Sequence, residues 1–367
     1  MKVAVITRHA ITNYGSLLQT FATQQVIENL GHECEIIDYI REDESYTQHE
    51  RTLLARKPEW NCNPIKKAIY LALRQPESIA SGRRFKVEQS KYLHFTRKYA
   101  SLEQLSKDKP VADIYMTGSD QVWGPVENGS YDSSYCLSFT DESDKRIAYA
   151  ASFGRAEMTE TIEIFFKKWL SRYRHIGVRE DSAVNILKRM GIDSTQVLDP
   201  TLLLDSSFWS KIAEPIKEKK YVLVYQLHND KRVGEYAAQV AKSFGLPLIR
   251  VSALFHQISR EGKFVWCPDI GKFLSYIKNA ECMITDSFHG TAFAINFNTP
   301  FVEVLPNNKT GTRNMSILKL TGLSDRILSD DKDITLAKEK IDYSKVNQII
   351  EEKRKDSLNV LKNMIEN

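Results

Sequence analysis

A repeated alternation constrains this chain most: a short, unbroken apolar run, a loop of small and polar residues, then a longer stretch with apolar residues at helical spacing. Residues 2–7, KVAVIT, form the first such run and read as a buried parallel strand. After the loop at 8–15, Leu17, Leu18, Phe21, Val26, Ile27 and Leu30 recur at helical spacing, and Gly31 supplies a stop. CEIIDY at 34–39 is the next strand. Strand, loop, helix and strand in this order make the βαβ unit of a doubly wound sheet. ADIYMTG (112–118), RIAYAAS (146–152), HIGVR (175–179) and TQVLD (195–199) continue the pattern, with FFKKWLSRYR and SAVNILKRMG as intervening helices. Residues 64–108 break it, reading as mainly helical and irregular, within an insertion at about 51–108.

Asp199-Pro200 ends a strand, the stretch to Ser207 serves as a linker, and the alternation then restarts. YVLVYQ (221–226), a helix around 231–244, LPLIRVS (246–252), DIGKFLSYIKNA (269–280), ECMITDS (281–287), a helix after His289 and PFVEV (300–304) repeat the same logic. The expected fold class is α/β, with two Rossmann-like domains facing across a cleft. They cover 1–205 and 206–342, and a charged helix at 343–367 could fold back across the first domain. A chain of 367 residues has room for two domains and their cores.

Composition removes other classes. With 42% hydrophobic and 27% charged residues the chain is neither disordered nor fibrous. No apolar run reaches the ~18 residues of a membrane span, and Arg8 cuts the first run too early for a secretory signal, so a cytoplasmic protein is expected. Five cysteines, widely spaced and without a CxxC, indicate neither a disulfide framework nor a zinc site and read as buried thiols. No metal ligands cluster, so no metal or other cofactor is expected. Net charge is only +4, which gives no reason to expect nucleic acid. Its distribution is uneven: residues 51–100 carry twelve Lys/Arg against three Glu, a local +9, leaving the rest at −5. Solvated helix faces account for this equally well as peripheral contact with anionic lipid at the inner membrane face.

In open α/β sheets ligands bind outside the carboxyl ends of strands, and four such ends carry clustered polar residues. NYGSLLQ (13–19) places Gly15 at a turn and Ser16 at a helix start, where backbone N–H groups suit an anion or a sugar hydroxyl, with Asn13 and Gln19 beside them. TGSDQVW (117–123) offers an acid, an amide and an indole (Asp120, Gln121, Trp123), the groups that bind a sugar's hydroxyls and its apolar face; a capped turn with a core Trp is the alternative. ASFG (151–154) accompanies GVREDS (177–182), where Arg179 ends a strand with a planar fork suited to carboxylate or phosphate, or to a salt bridge with Glu180 or Asp199. TDSFHGTAFA (285–294) delivers Ser287, His289, Gly290 and Thr291 to the start of a helix, a ready anion site.

Taken in order, these four motifs resemble the polysaccharide pyruvyl transferase family over roughly residues 1–325. The resemblance implies a two-domain enzyme of the GT-B type that uses phosphoenolpyruvate as co-substrate. Its acceptor would be a glycan of a capsule or exopolysaccharide, or the lipid-linked precursor, and its product a cyclic pyruvate ketal. The first domain would hold the acceptor, through Asn13, Gly15, Gln19, Gln121 and Trp123, and the second the donor. Donor contacts would come from Arg179, Ser287, Gly290 and Thr291. Where the family commonly shows Arg-x-His-Gly, this chain has Ser287 in the arginine's place, and Lys309 and Arg313 of NNKTGTR (307–313) offer replacements. His289 is the expected general acid and Asp120 the candidate base or hydroxyl orienter. A nucleotide-sugar glycosyltransferase on the same fold and a non-catalytic glycan-assembly protein are the competing readings.

Overall fold

A computed structural model of the chain describes every residue except 127–128 and 307–310. The described residues form two compact units, one of 1–200 with 357–367 and the other of 201–356. In the first, β1 (Lys2–Ile6), β2 (Glu33–Tyr39), β3 (Phe95–Tyr99), β4 (Ile114–Thr117), β5 (Lys145–Ala151), β6 (His175–Val178) and β7 (Thr195–Gln196) make one parallel sheet. Their order is β3-β2-β1-β4-β5-β6-β7. Val3, Ala4, Val5 and Ile6 have no exposed face, which is why β1 reads as an unbroken apolar run rather than an alternating one.

The second unit repeats this on a smaller scale. β8 (Val222–Tyr225), β9 (Leu248–Ser252), β10 (Lys263–Trp266), β11 (Cys282–Thr285) and β12 (Phe301–Glu303) form a parallel sheet in the order β10-β9-β8-β11-β12. In both sheets the first strand sits inside and the chain winds first to one side, then to the other. The direction of winding therefore reverses between β1 and β4 and again between β8 and β11. Loops leaving the two strands at such a reversal diverge, and a crevice opens at their carboxyl ends.

Three features differ from the sequence reading. The segment expected as a helical insertion contains β3, which pairs with β2 through Ile36↔Phe95 and Tyr39↔Tyr99. β10 was likewise not foreseen. Both are edge strands: β3, with the sequence FTRKY, is buried only at Tyr99, and β10, KFVW, has a short apolar run that is only partly buried. The run at 195–199 is a strand only over Thr195–Gln196, and Pro200–Leu203 already forms a helical turn. Four cysteines are buried as expected, but Cys62 is exposed.

The final helix, Tyr343–Glu366, ends within the first unit. There the Ser357 hydroxyl accepts from the Leu198 amide at 3.0 Å, and Lys145 Nζ donates to the Ile365 carbonyl at 2.7 Å. No helix among the described residues is long and apolar enough to cross a membrane.

Candidate active site

The first crevice is built on the loops after β1 and β4. The helix Tyr14–Asn29 begins one turn earlier than its apolar spacing suggests, because Asn13 caps it: its side-chain oxygen accepts from the Gly15 amide at 2.7 Å and from Ser16 at 3.4 Å. Gly15 therefore lies inside the first helical turn rather than at a sharp bend. Ser16 is released from capping, and its hydroxyl donates to Asp120 Oδ2 at 2.7 Å. Gln19 is fully buried, its amide donating to Thr7 Oγ1, the Ser16 carbonyl and Thr20 Oγ1. Of the acceptor contacts expected in this motif, the Asn13 side-chain oxygen and the Gln19 side-chain nitrogen are thus engaged in holding the loop.

Asp120 stands at φ +79°, a left-handed conformation that strains most residues and that Asp tolerates better than others. Its other oxygen accepts from the Gln121 amide at 2.8 Å. Trp123 does not present its ring to a sugar. It is 1% exposed, packs on Phe153 and Phe166, and donates its indole N–H to the Tyr135 carbonyl, so it is the core Trp of the alternative reading. Gln121 is half-buried and lies against Gly154, where a Cβ would come within 2.8 Å of its amide carbon and where φ is +67°.

Arg179 is buried among three carboxylates. Nη1 lies 2.8 Å from Asp199, Nη2 3.7 Å from Asp120 and Nε 3.7 Å from Glu180. Ser119 donates to Asp199 at 2.8 Å and Ser152 to Glu180 at 2.6 Å. Burial works against the charge of Arg179, but Asp199, then Glu180 and Asp120, outweigh it and keep its pKa above the ordinary value. The salt bridges left open by the sequence are therefore made, with one carboxylate more. A further anion would enter a group already carrying three carboxylates on one guanidinium, which argues against the donor contact expected of Arg179 and for a role in fixing Asp120. Nearby, Glu44 gathers Arg8 at 2.7 Å, Arg41 at 3.1 Å and the Tyr135 hydroxyl at 2.8 Å, a cluster with no recognisable local motif.

The second crevice lies at the β8/β11 reversal. Thr285 closes β11 by donating to the Tyr225 carbonyl at 2.7 Å. Asp286 accepts from the amides of Leu227 at 2.7 Å and His228 at 2.9 Å and lies 3.2 Å from His228 Nδ1, so its charge is spent on pinning the β8 loop. Ser287 caps the helix Phe288–Phe297, its hydroxyl accepting from the Gly290 amide at 3.2 Å. An arginine could not accept that bond, so the departure from the family pattern has a local reason. Gly290 permits close packing: a Cβ there would approach Thr285 Oγ1 to 2.7 Å and the Tyr225 ring to 3.0 Å. His289 is buried in the first turn, at the positive end of the helix dipole.

Thr291, an expected donor contact, is bonded to Glu303, a residue of the expected strand PFVEV. The Thr291 hydroxyl contacts the Ser287 carbonyl at 3.1 Å and also the Glu303 carboxyl, whose other oxygen accepts from Asn314 Nδ2 at 2.6 Å. One hydroxyl hydrogen cannot fully serve two acceptors. The Thr291 hydroxyl donates to Glu303, and burial pushes the Glu303 pKa up to about 8 against the lowering effect of the Thr291 and Asn314 bonds. Glu303 thus links the first turn of one helix to the first turn of the next, Thr312–Thr321, where half-buried Arg313 precedes Asn314. Sequence reasoning missed Glu303, Asn314 and His228. The repeat itself held a signal for His228, which follows β8 as the motif at Asn13 follows β1. Lys309 lies outside the described residues. Among those residues no group of three metal-ligating side chains occurs.

The structure therefore brings Ser16, Gln19, Asp120, Gln121 and Arg179 together in the first unit, and Ser287, His289, Gly290, Thr291 and the helix start bearing Arg313 together in the second. A family model described as polysaccharide pyruvyl transferase matches residues 13–309. No curated protein matches the chain in sequence. Among solved structures, Arabidopsis thaliana UGT89C1 complexed with UDP-L-rhamnose is similar at TM-score 0.53 and 11% identity, over 99% of this chain and 98% of that one. A Listeria monocytogenes protein described as a UDP-N-acetylglucosamine 2-epimerase gives 0.52 and 12%, over 100% and 95%. At such identities the likeness is one of fold, and the fold class is GT-B-like.

Proposed function

The chain belongs to the polysaccharide pyruvyl transferase family, and from this premise we propose that it transfers pyruvate from phosphoenolpyruvate to a sugar of a surface polysaccharide or its lipid-linked precursor, closing a cyclic ketal. The observation that supports this reading is the contrast in fixed charge between the two crevices. The first holds carboxylates in excess of guanidinium groups. In the second, Asp286 accepts from two backbone amides, burial raises the pKa of Glu303 to about 8, and His289 and Arg313 stand at helix starts. A trianionic donor fits the second and is repelled by the first.

In this reading Arg313 and the helix start at Ser287 neutralise the donor's carboxylate and phosphate. His289 delivers a proton to the methylene carbon of the enol, and the carbon bearing the phosphate ester becomes oxocarbenium-like. An acceptor hydroxyl adds to it and loses its proton to a base, for which Asp120 is the candidate. Departure of inorganic phosphate regenerates the cationic centre, and a second hydroxyl of the same sugar closes the ring and releases another proton. Arg179 and Ser16 fix Asp120 in its strained conformation, and Gln121 is the remaining acceptor contact from its motif. No metal enters this scheme.

The test is to incubate the pure protein with phosphoenolpyruvate and a panel of synthetic or lipid-linked glycosides, following phosphate release and product mass. One phosphate released per sugar that gains a pyruvate ketal is the expected result. Consumption of a nucleotide sugar with phosphoenolpyruvate untouched would replace this reading by glycosyl transfer.

A further inference from the structure

The helix Pro64–Tyr92 is anchored by one face. Tyr70, Ser81, Gly82, Phe85 and Glu88 are its buried residues; Tyr70 donates to Glu50 at 2.8 Å, and Gly82 admits the Tyr46 ring, whose Cγ would lie 2.2 Å from a Cβ there. The opposite face is apolar and open. Ile65, Ala68, Ile69, Ala72, Leu73 and Pro76, at helical i, i+3, i+4, i+7, i+8 and i+11 spacing, are all exposed, Ile65 at 74%, Ile69 at 47% and Leu73 at 68%. With Val87 at 54%, this helix holds four of the ten large hydrophobic side chains exposed among the described residues. Scattered apolar residues at a surface need no explanation, but a continuous stripe does.

The same helix carries seven Lys/Arg and two Glu, a net +5. Both acids are already engaged, Glu77 by Arg74 at 3.3 Å and Glu88 by Lys91 at 2.6 Å. Lys66 and Lys67 stand at the apolar end, and exposed Arg83, Arg84 and Lys86 continue beyond it. A stripe of aliphatic side chains combined with unbalanced cations is the pattern of a helix lying in a membrane interface, apolar face among the acyl chains and charges at the head groups. A second copy of this chain fits poorly, since a two-fold interface on the stripe would set one +5 helix against another.

We propose that the exposed face of the 64–92 helix docks this protein on anionic lipid bilayers. The assay uses the full chain with vesicles of phosphatidylcholine alone or mixed with phosphatidylglycerol, at low and high salt. It needs neither donor nor acceptor, so it stands apart from the transfer reaction. Binding to the mixed vesicles at low salt, weakened as the screening length shrinks, is the expected result. Combined Lys66→Glu and Lys67→Glu should weaken it about tenfold, and combined Ile65→Ser, Ile69→Ser and Leu73→Ser about a hundredfold. These positions are exposed, so thermal melts should match the wild type. A polarity-sensitive dye on Cys62, the exposed cysteine at the helix start, should shift to the blue with anionic vesicles only. No binding to anionic vesicles at low salt, equal binding to both compositions, or an undiminished serine variant would overturn the proposal. So would a serine variant that dissociates a dimer or releases an acidic protein partner while vesicle binding persists.

Discussion

The two crevices share a topology and differ in how they are held together. At β1/β4, buried charge does the holding: Arg179 and Arg8 are set among Asp120, Glu180, Asp199 and Glu44. At β8/β11, hydrogen bonds do most of it, through Thr285, Ser287, Thr291, Asn314 and Glu303, whose pKa is raised by burial, with the Asp286 carboxylate held by backbone amides. A crevice assembled from ion pairs has little electrostatic room for a charged ligand, whereas one assembled mainly from hydrogen bonds leaves a helix dipole to act on an anion. The proposed reading therefore assigns the uncharged acceptor to the first crevice and the anionic donor to the second.

This contrast is easiest to break at His289. Replacing it by Ala should lower turnover by about 10²–10⁴ at saturating donor, well beyond what the modest loss of buried packing seen in a thermal melt would account for. A variant that keeps half the wild-type rate would remove His289 from proton delivery.

Arg179→Ala should do the opposite, acting first on the fold. It leaves Asp120, Glu180 and Asp199 facing one another, and breaking a buried ion pair costs about 3–5 kcal/mol. Denaturant midpoints measure this, and Arg179→Lys should recover only part because the three contacts need the fork. An unchanged midpoint accompanied by a raised Michaelis constant for donor would return Arg179 to the donor site.

Glu303 sharpens the comparison through pH. Its pKa is raised to about 8 in the folded protein, against about 4.3 for an unperturbed Glu. The native state therefore holds more protons than the unfolded state between these values, and this contribution to stability is full below about pH 4 and fades as pH rises through about 8. Glu303→Gln keeps the bonding pattern without the titration, so the stability difference between it and the wild type should move by about 1.4 kcal/mol per pH unit within that window. Parallel stability–pH curves for the two proteins would mean that Glu303 is ionised in the fold.

The smallest effect concerns backbone strain at Asp120. Asn tolerates the left-handed conformation nearly as well as Asp and Ala does not, so Asp120→Ala should be about 1 kcal/mol less stable than Asp120→Asn. Both should lose transfer if the carboxylate takes the hydroxyl proton. Equal stability of the two would show that the loop relaxes.

Central strands, the helices between them and the position of all four site motifs at strand ends were legible in the sequence, because each depends on neighbours within a turn or a few residues. Uniform burial writes an apolar run into β1 and β11, and the polar residues at helix starts were placed to within a turn, although Asn13 and not Ser16 caps the first helix. Edge strand β3 lacks that imprint, and in β10 it is only three residues long and partly buried. What each polar residue does inside its motif was decided by tertiary structure. Ser16 meets Asp120 across 104 positions, burial raises the pKa of Glu303 where it is bonded to Thr291 and Asn314 of two helices, and Trp123 turns into the core rather than outward. Local spacing sets where a side chain begins. Its partners, its charge and the direction it faces follow from long-range packing and from the exclusion of water, which no window of sequence contains.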